Sequence, residues 1–277
     1  MQRVKRLVVG GFLLSSLSIG ACAAAVTPQT VQQIPLIVPQ LLKVAEHKKC
    51  FEPASEQSCA AIQIQFEATG LSWLDSALLE RLDMQSEPGQ QLLSADSAEQ
   101  KLQDIEQQAV AWLAESYTDI KDMRESTQSY SLAYDYQDSL RFIAQRHHLA
   151  SFKQFFYTYT GGAHGMYSTR YLLFDLNTRQ QLLLPDLLQR FAEPKLLEIL
   201  RELYLENYGE YAEYWLSDSI IEQAETLLTD NFVFNELGLT FSYPPYVLGP
   251  YAEGEVRLTL AYHQLTDIVK PEYLLVN

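Results

Sequence analysis

The period of the apolar side chains changes once along this chain, and that change decides its fold class. From Ser97 to Asp122, residues Leu102, Ile105, Ala109, Leu113, Tyr117 and Ile120 recur at three- and four-residue steps, the stripe of an amphipathic helix. From Ser129 the step becomes two. Tyr130, Leu132, Tyr134 and Tyr136 alternate with Ser129, Ser131, Ala133 and Asp135, as in a half-buried strand. Gln137-Asp138-Ser139 reads as a turn. Residues 140–149, 152–160 and 166–176 read as three further strands, with His147 and His148 adjacent on a strand and therefore on opposite faces.

Before this block lie a strand over 61–67, a helix over 71–82 carrying Leu71, Leu74, Leu78 and Leu82, and a loop over 85–91 around Pro88-Gly89. After it come helices over 194–208 and 218–228 and strands over 232–234, 238–243 and 255–262. Strands gathered together and helices gathered elsewhere indicate an α+β protein, an antiparallel meander sheet with helices on one side. The 47% hydrophobic and 12% aromatic content is ample for a packed core.

The N-terminus reads as an export signal. Arg3, Lys5 and Arg6 precede an apolar stretch over 7–19 that is too short to span a bilayer comfortably, and Ile19-Gly20-Ala21-Cys22 follows. An aliphatic residue, two small residues and a cysteine resemble a bacterial lipobox, in which Cys22 becomes the acylated first residue; plain cleavage near Ala24 is the alternative. Ala23, rather than Asp, follows Cys22, the pattern of an outer-membrane lipoprotein facing the periplasm. The expected organisation is a lipoprotein signal peptide over 1–21, a Pro-spaced tether over 22–45, a small N-terminal α/β subdomain over 46–125 and a larger C-terminal domain over 126–277, the last two packed together.

Charge narrows the partners. The full chain carries −15; without Arg3, Lys5 and Arg6, 17 basic residues face 35 acidic ones, giving −18. Such a surface repels phosphate backbones and anionic head groups, so nucleic acid is not expected, and it favours cationic partners. The plainer reading is that acidity serves solubility. With Cys22 acylated, Cys50 and Cys59 remain. An even pair in an oxidising compartment forms a disulfide, whereas a metal pair would have only His47 nearby.

Two motifs stand out. In Tyr159-Thr160-Gly161-Gly162-Ala163-His164-Gly165, three glycines between two strands permit a tight turn that lifts His164 to the rim of the sheet. Spacing alone favours the plainer reading, in which the glycines serve the turn and His164 bonds a neighbouring backbone group. In the segment Tyr243-Pro244-Pro245-Tyr246-Val247-Leu248-Gly249-Pro250-Tyr251-Ala252-Glu253-Gly254, the prolines preclude a central strand. A stiff loop bearing Tyr243, Tyr246 and Tyr251 suits protein or sugar contacts; alternatively these rings cap the core.

No HExxH, CxxC pair, GxSxG elbow or phosphate loop is present, and His47, His147, His148, His164 and His263 suggest no ligand set. Glu253 and Glu255 would share a strand face as a candidate carboxylate pair, more simply an acidic rim. No catalytic residue, metal or cofactor is expected.

Taken in order, TGGAHG, Phe174-Asp175-Leu176, Thr178, Leu184-Pro185-Asp186-Leu187-Leu188 and YPPYVLGPYAEG resemble, over about residues 60–265, an extracytoplasmic domain-of-unknown-function family. That family includes the outer part of the lysozyme-sensing anti-sigma factor RsiV, and related domains accompany the catalytic module of the peptidoglycan deacetylase PdaC. Arg179 stands where members often carry Gly. With six residues before the apolar stretch and the last residue at Asn277, neither a sigma-binding segment nor a deacetylase module is expected. The resemblance therefore implies a lipid-anchored, non-catalytic envelope module. Its expected partner is a basic protein such as lysozyme, bound at Gly161, Gly162, His164, Gly165, Tyr243, Tyr246 and Tyr251. The alternative is a protein that binds or modifies peptidoglycan.

Overall fold

Strand pairing organises the computed structural model, which describes residues 34–51, 58–84, 97–127, 132–209, 212–216 and 220–274. Strands β1 (Gln40–Cys50), β2 (Cys59–Ala68), β3 (Tyr134–Arg146), β4 (Leu149–Tyr159), β5 (Met166–Asp175) and β6 (Gln180–Leu182) form one six-stranded sheet in sequence order. β3 to β6 make the expected antiparallel meander. β2 and β3, however, run parallel. Parallel neighbours need a long crossover, and helices α1 (Ser72–Leu79) and α2 (Ala98–Thr127) provide it. α2 lays Ile105 and Ala109 against Ile62, Ile64, Phe66, Leu140 and Phe152 of the sheet.

Three expectations change. Gln137-Asp138-Ser139 is not a turn but lies inside β3. The sheet overrides the turn preference because Asp138 is buried, 4% exposed, and both carboxylate oxygens accept from Gln154 Nε2 of β4, at 3.1 and 2.9 Å. The real turn is His147-His148, which joins Arg146 to its partner Leu149, with His147 at φ 51°. The tether expected over 22–45 is folded in its second half. Ile37 is 5% exposed and donates its N–H to Gln145 Oε1 at 2.9 Å, and Gln40–Cys50 is strand. The earlier part of that tether, Cys22 and the signal segment lie outside the described residues, as does the whole 85–91 loop. Among the described residues no helix is long and apolar enough to cross a membrane.

Cys50 and Cys59 face each other at the end of the β1–β2 pair and form the expected disulfide. Beside it Phe51 stacks on Tyr117 of α2 at 4.2 Å, and Lys49 lies over the same ring.

The chain continues through α3 (Leu184–Leu187), α4 (Glu193–Tyr208), α5 (Ala212–Trp215), α6 (Ile220–Leu227), β7 (Phe232–Phe234), β8 (Gly238–Tyr243), β9 (Val256–Ala261), α7 (Tyr262–Leu265) and α8 (Pro271–Leu274). β7, β8 and β9 form a second, antiparallel sheet. α4 starts with Pro194 in its first turn and stops at Gly209, φ 55°, the residues that open and close helices at least cost.

Two apolar cores result. One lies between α1, α2 and the large sheet; the other gathers Leu196, Leu200, Tyr204, Leu227, Phe232, Phe241, Leu258 and Leu260. They meet at the large sheet itself. Alternate residues of β5 serve them in turn, Leu172 and Phe174 the first and Leu173 the second. The sheet thus runs across the boundary expected at 125/126, and the division into two cores falls at β5–β6. Asn231 joins the two sheets. Its Oδ1 accepts from Tyr171 N at 2.7 Å, and its Nδ2 donates to Thr169 O and Ser242 O, both at 2.8 Å. It supplies to β5 the bonds that a further strand would have made.

Candidate functional site: an aromatic cluster joining two loops

Successive side chains of a strand point to opposite faces. Phe155, Tyr157 and Tyr159 of β4 therefore stand together on the face away from α2. Tyr167 of β5 pairs directly with Tyr157 in the ladder and joins them. Phe155 and Tyr167 are 6.4 Å apart in a stacked arrangement. All four are half-buried.

The glycine turn shapes one end of this row. Gly161 and Gly162 take φ of 93° and 96°, open only to glycine at low cost. The Gly162 carbonyl accepts from Tyr159 Oη at 2.9 Å. Gly165 is required for space: a Cβ there would lie 2.4 Å from the Tyr157 ring. His164 is exposed at the tip. Its Nδ1 lies 3.0 Å from the Gly165 carbonyl. Because a carbonyl only accepts, that nitrogen carries the proton, and Nε2 of the neutral ring is left as an acceptor. This backbone bond is the one the plainer reading of the motif expects.

The second loop closes onto the first. A 3-10 turn, Tyr251–Glu253, brings the Tyr251 ring flat against His164, with centroids 3.9 Å apart and planes at 17°. Tyr251 also meets the edge of Tyr167 at 5.8 Å and lies 5.9 Å from Tyr246. Tyr246 sits at φ 71° and is 49% exposed. The loop is held from beneath, where Tyr204 Oη donates to the Leu248 carbonyl at 2.5 Å; burial raises that phenol to about 12. Tyr157 is also shifted upward, by desolvation first and then by Asp135, Tyr251 and Tyr159 around it.

Six of the seven expected binding residues thus meet in one place: Gly161, Gly162, His164, Gly165, Tyr246 and Tyr251. The exception is Tyr243. It is 1% exposed in the second core, donates its hydroxyl to the Leu227 carbonyl at 2.7 Å, and is held protonated by burial. Alternation along β8 places it inward, so it supports the loop rather than any surface. Tyr157 and Tyr167 went unnoticed as site residues, although the alternation of Phe155, Tyr157 and Tyr159 on one face was a usable signal.

The expected carboxylate pair does not form on a common strand face. Glu253 is exposed in the 3-10 turn. The Glu255 side chain is only 8% exposed and pairs with Arg257 at 3.2 Å, its Oε1 lacking a hydrogen-bond partner among the described residues. His47 pairs with Glu106 of α2 at 2.8 Å, far along the sheet from His164. Among the described residues no three His, Cys, Asp or Glu side chains gather as a metal set.

Fold and site together define an α+β protein with a preformed, exposed aromatic cluster where two loops meet. Two family models match it in succession: "Deacetylase PdaC" over residues 82–167 and "Protein of unknown function (DUF3298)" over residues 185–263. The single resemblance read over 60–265 is therefore two adjoining matches. The second begins just past β6, close to where the second core takes over. No curated protein matches the chain. Among solved structures, a DUF3298-family member from Bacteroides fragilis is 17% identical, with a TM-score of 0.59, covering 86% of this chain and 96% of its own. A DUF3298-family protein from Pseudomonas aeruginosa is 20% identical, with a TM-score of 0.56, covering 87% and 97%. At these identities the likeness is one of fold. Arg179, where the family resemblance expects Gly, adopts φ 59°, so the backbone keeps the glycine conformation with an arginine in it.

Proposed function

We propose that the chain is a non-catalytic binding module of the cell envelope whose aromatic cluster receives a basic protein of the lysozyme kind. The observation that carries this reading is the His164–Tyr251 stack, which fuses two loops about ninety residues apart into one exposed surface. Tyrosine supplies large contact area at little entropy cost, and a chain of net charge −15 attracts cationic partners at long range. Titration of the protein with hen lysozyme by calorimetry, at low and physiological salt, tests it. Micromolar binding at both salts, lost in Tyr251→Ala with the melting temperature kept, supports the reading. Absence of binding at either salt refutes it.

A second reading is favoured by the side-by-side, half-exposed Tyr157, Tyr159 and Tyr167, whose flat faces and hydroxyls suit the stacking of wall glycan. Retention on purified sacculi at high salt, abolished in Tyr157→Ala, would select it. Attachment through an acylated Cys22 to the outer membrane completes the proposal. A mass spectrum of the mature N-terminus checks it, and an unmodified chain starting at Ala23 or Ala25 would sink it.

A further inference from the structure

On the opposite face of β4 and β5 lies a cleft of about 150 Å³ lined by Gln154, Phe156, Ser168 and Arg170. We propose that it binds a carboxylate carried on a short apolar stem. This site is separate from the aromatic cluster, since strand alternation puts its side chains on the α2 face, and it does not rest on the reading above.

The four residues are two neighbouring ladder pairs, Gln154 with Arg170 and Phe156 with Ser168. They form a built floor with different chemistry at each end. At one end stands charge. Arg170 is exposed, and among the described residues it makes no salt bridge. The Arg81 guanidinium is close enough to feel it: burial, then repulsion from Arg170, pulls Arg81 below its ordinary range. Arg81 Nη2 is engaged with Gln181 Oε1 at 2.7 Å, and Arg170, which also attracts the buried Asp138 carboxyl, is the exposed guanidinium of the two. Two cations within electrostatic reach of one another stand out in a chain where acids outnumber bases 35 to 20. An anion held by Arg170 would offset that repulsion.

Gln154 locks the floor. Its Nε2 donates to both oxygens of Asp138 and to the Arg81 carbonyl at 2.9 Å. At the other end the Phe156 ring, set edge-on to Tyr136 at 5.3 Å, offers an apolar wall. The cleft is small, about 150 Å³, and suits a carboxyl group carried on a few carbons. The buried Asp138 beneath disfavours a dianion, whereas one planar guanidinium with a serine hydroxyl beside it suits a single carboxylate.

The test is a nuclear magnetic resonance titration of the full chain with N-acetylalanine, N-acetylalanine methyl ester, N-acetylglutamate α-amide and inorganic phosphate. The expected result is saturable binding of the first or third compound, with shifts confined to β4, β5 and the Arg170 side chain. Binding falls about tenfold in Arg170→Gln, the loss of one charge-assisted pair. Preference for N-acetylalanine marks a chain-terminal carboxylate as the natural ligand; preference for the glutamate compound marks an acidic side chain. Should Arg170→Gln fold poorly, Arg170→Lys keeps the charge and removes the fork, and is expected to weaken binding severalfold. Equal binding of the methyl ester, preference for phosphate, undiminished binding in a folded Arg170 variant, or no saturable shift overturns the proposal. Tyr251→Ala is expected to bind as the wild type does, which separates this outcome from failure of the aromatic cluster.

Discussion

Replacing Asp138 by Asn should remove a pH dependence from the stability of the whole protein. Asp138 sits mid-strand in β3, 4% exposed. Burial lifts its carboxyl from the ordinary 3.8 to about 7, against the opposing pull of Gln154, Arg170 and the Ser139 backbone. A raised carboxyl binds its proton more tightly in the folded state. Its contribution is therefore fully present below about pH 4 and is lost as pH rises through about 7. At 1.36 kcal/mol per unit, the whole loss is about 4 kcal/mol, of which about 3 kcal/mol falls between pH 5 and pH 8. Asn cannot ionise but still accepts from Gln154 Nε2. The assay is urea unfolding of wild type and Asp138→Asn at both pH values. The variant's stability relative to wild type should improve by about 3 kcal/mol on going from pH 5 to pH 8. A difference that is the same at both would show that this carboxyl titrates in the ordinary range, and the argument from burial would fail.

Three further outcomes can be checked. Asn231→Ala leaves Tyr171 N, Thr169 O and Ser242 O without their partners; a loss of about 2–4 kcal/mol is expected in denaturant unfolding, and a loss under 0.5 kcal/mol would mean that water replaces the clamp. Tyr243→Phe removes only the bond to Leu227, so about 1 kcal/mol of stability should go while ligand binding stays unchanged; altered affinity would return Tyr243 to the contact surface. Arg179→Gly should raise stability by about 0.5–1 kcal/mol, because the φ of 59° costs an arginine what glycine does not feel. A lower midpoint would show that the Arg179 side chain contributes more than its backbone costs.

Much of the architecture was legible because periodicity is local. The helix around Ile105 and Ala109, the strands around Phe155 and Tyr167 and the final β-block follow from side-chain spacing alone. The misreadings have one source. Gln137-Asp138-Ser139 has turn chemistry, and only the partner across the ladder, Gln154, makes strand the better answer. His147-His148 has no Gly or Asn to announce a hairpin, yet the pairing of Arg146 with Leu149 forces one. Tyr243 belongs to a conspicuous loop motif, yet its place in the β8 alternation turns it into the core.

What the residues alone determined is local chemistry: the acidic charge, two cysteines placed to close a hairpin, a glycine turn presenting a histidine and a stiff tyrosine loop. What only the tertiary structure decided is adjacency. The stack of His164 on Tyr251 and the pairing of Gln154 with Arg170 depend on ladder register, on the crossover that sets β2 parallel to β3, and on the Asn231 clamp between the sheets. Contacts between residues tens of positions apart form because distant apolar faces share a core, and no window of sequence contains both partners.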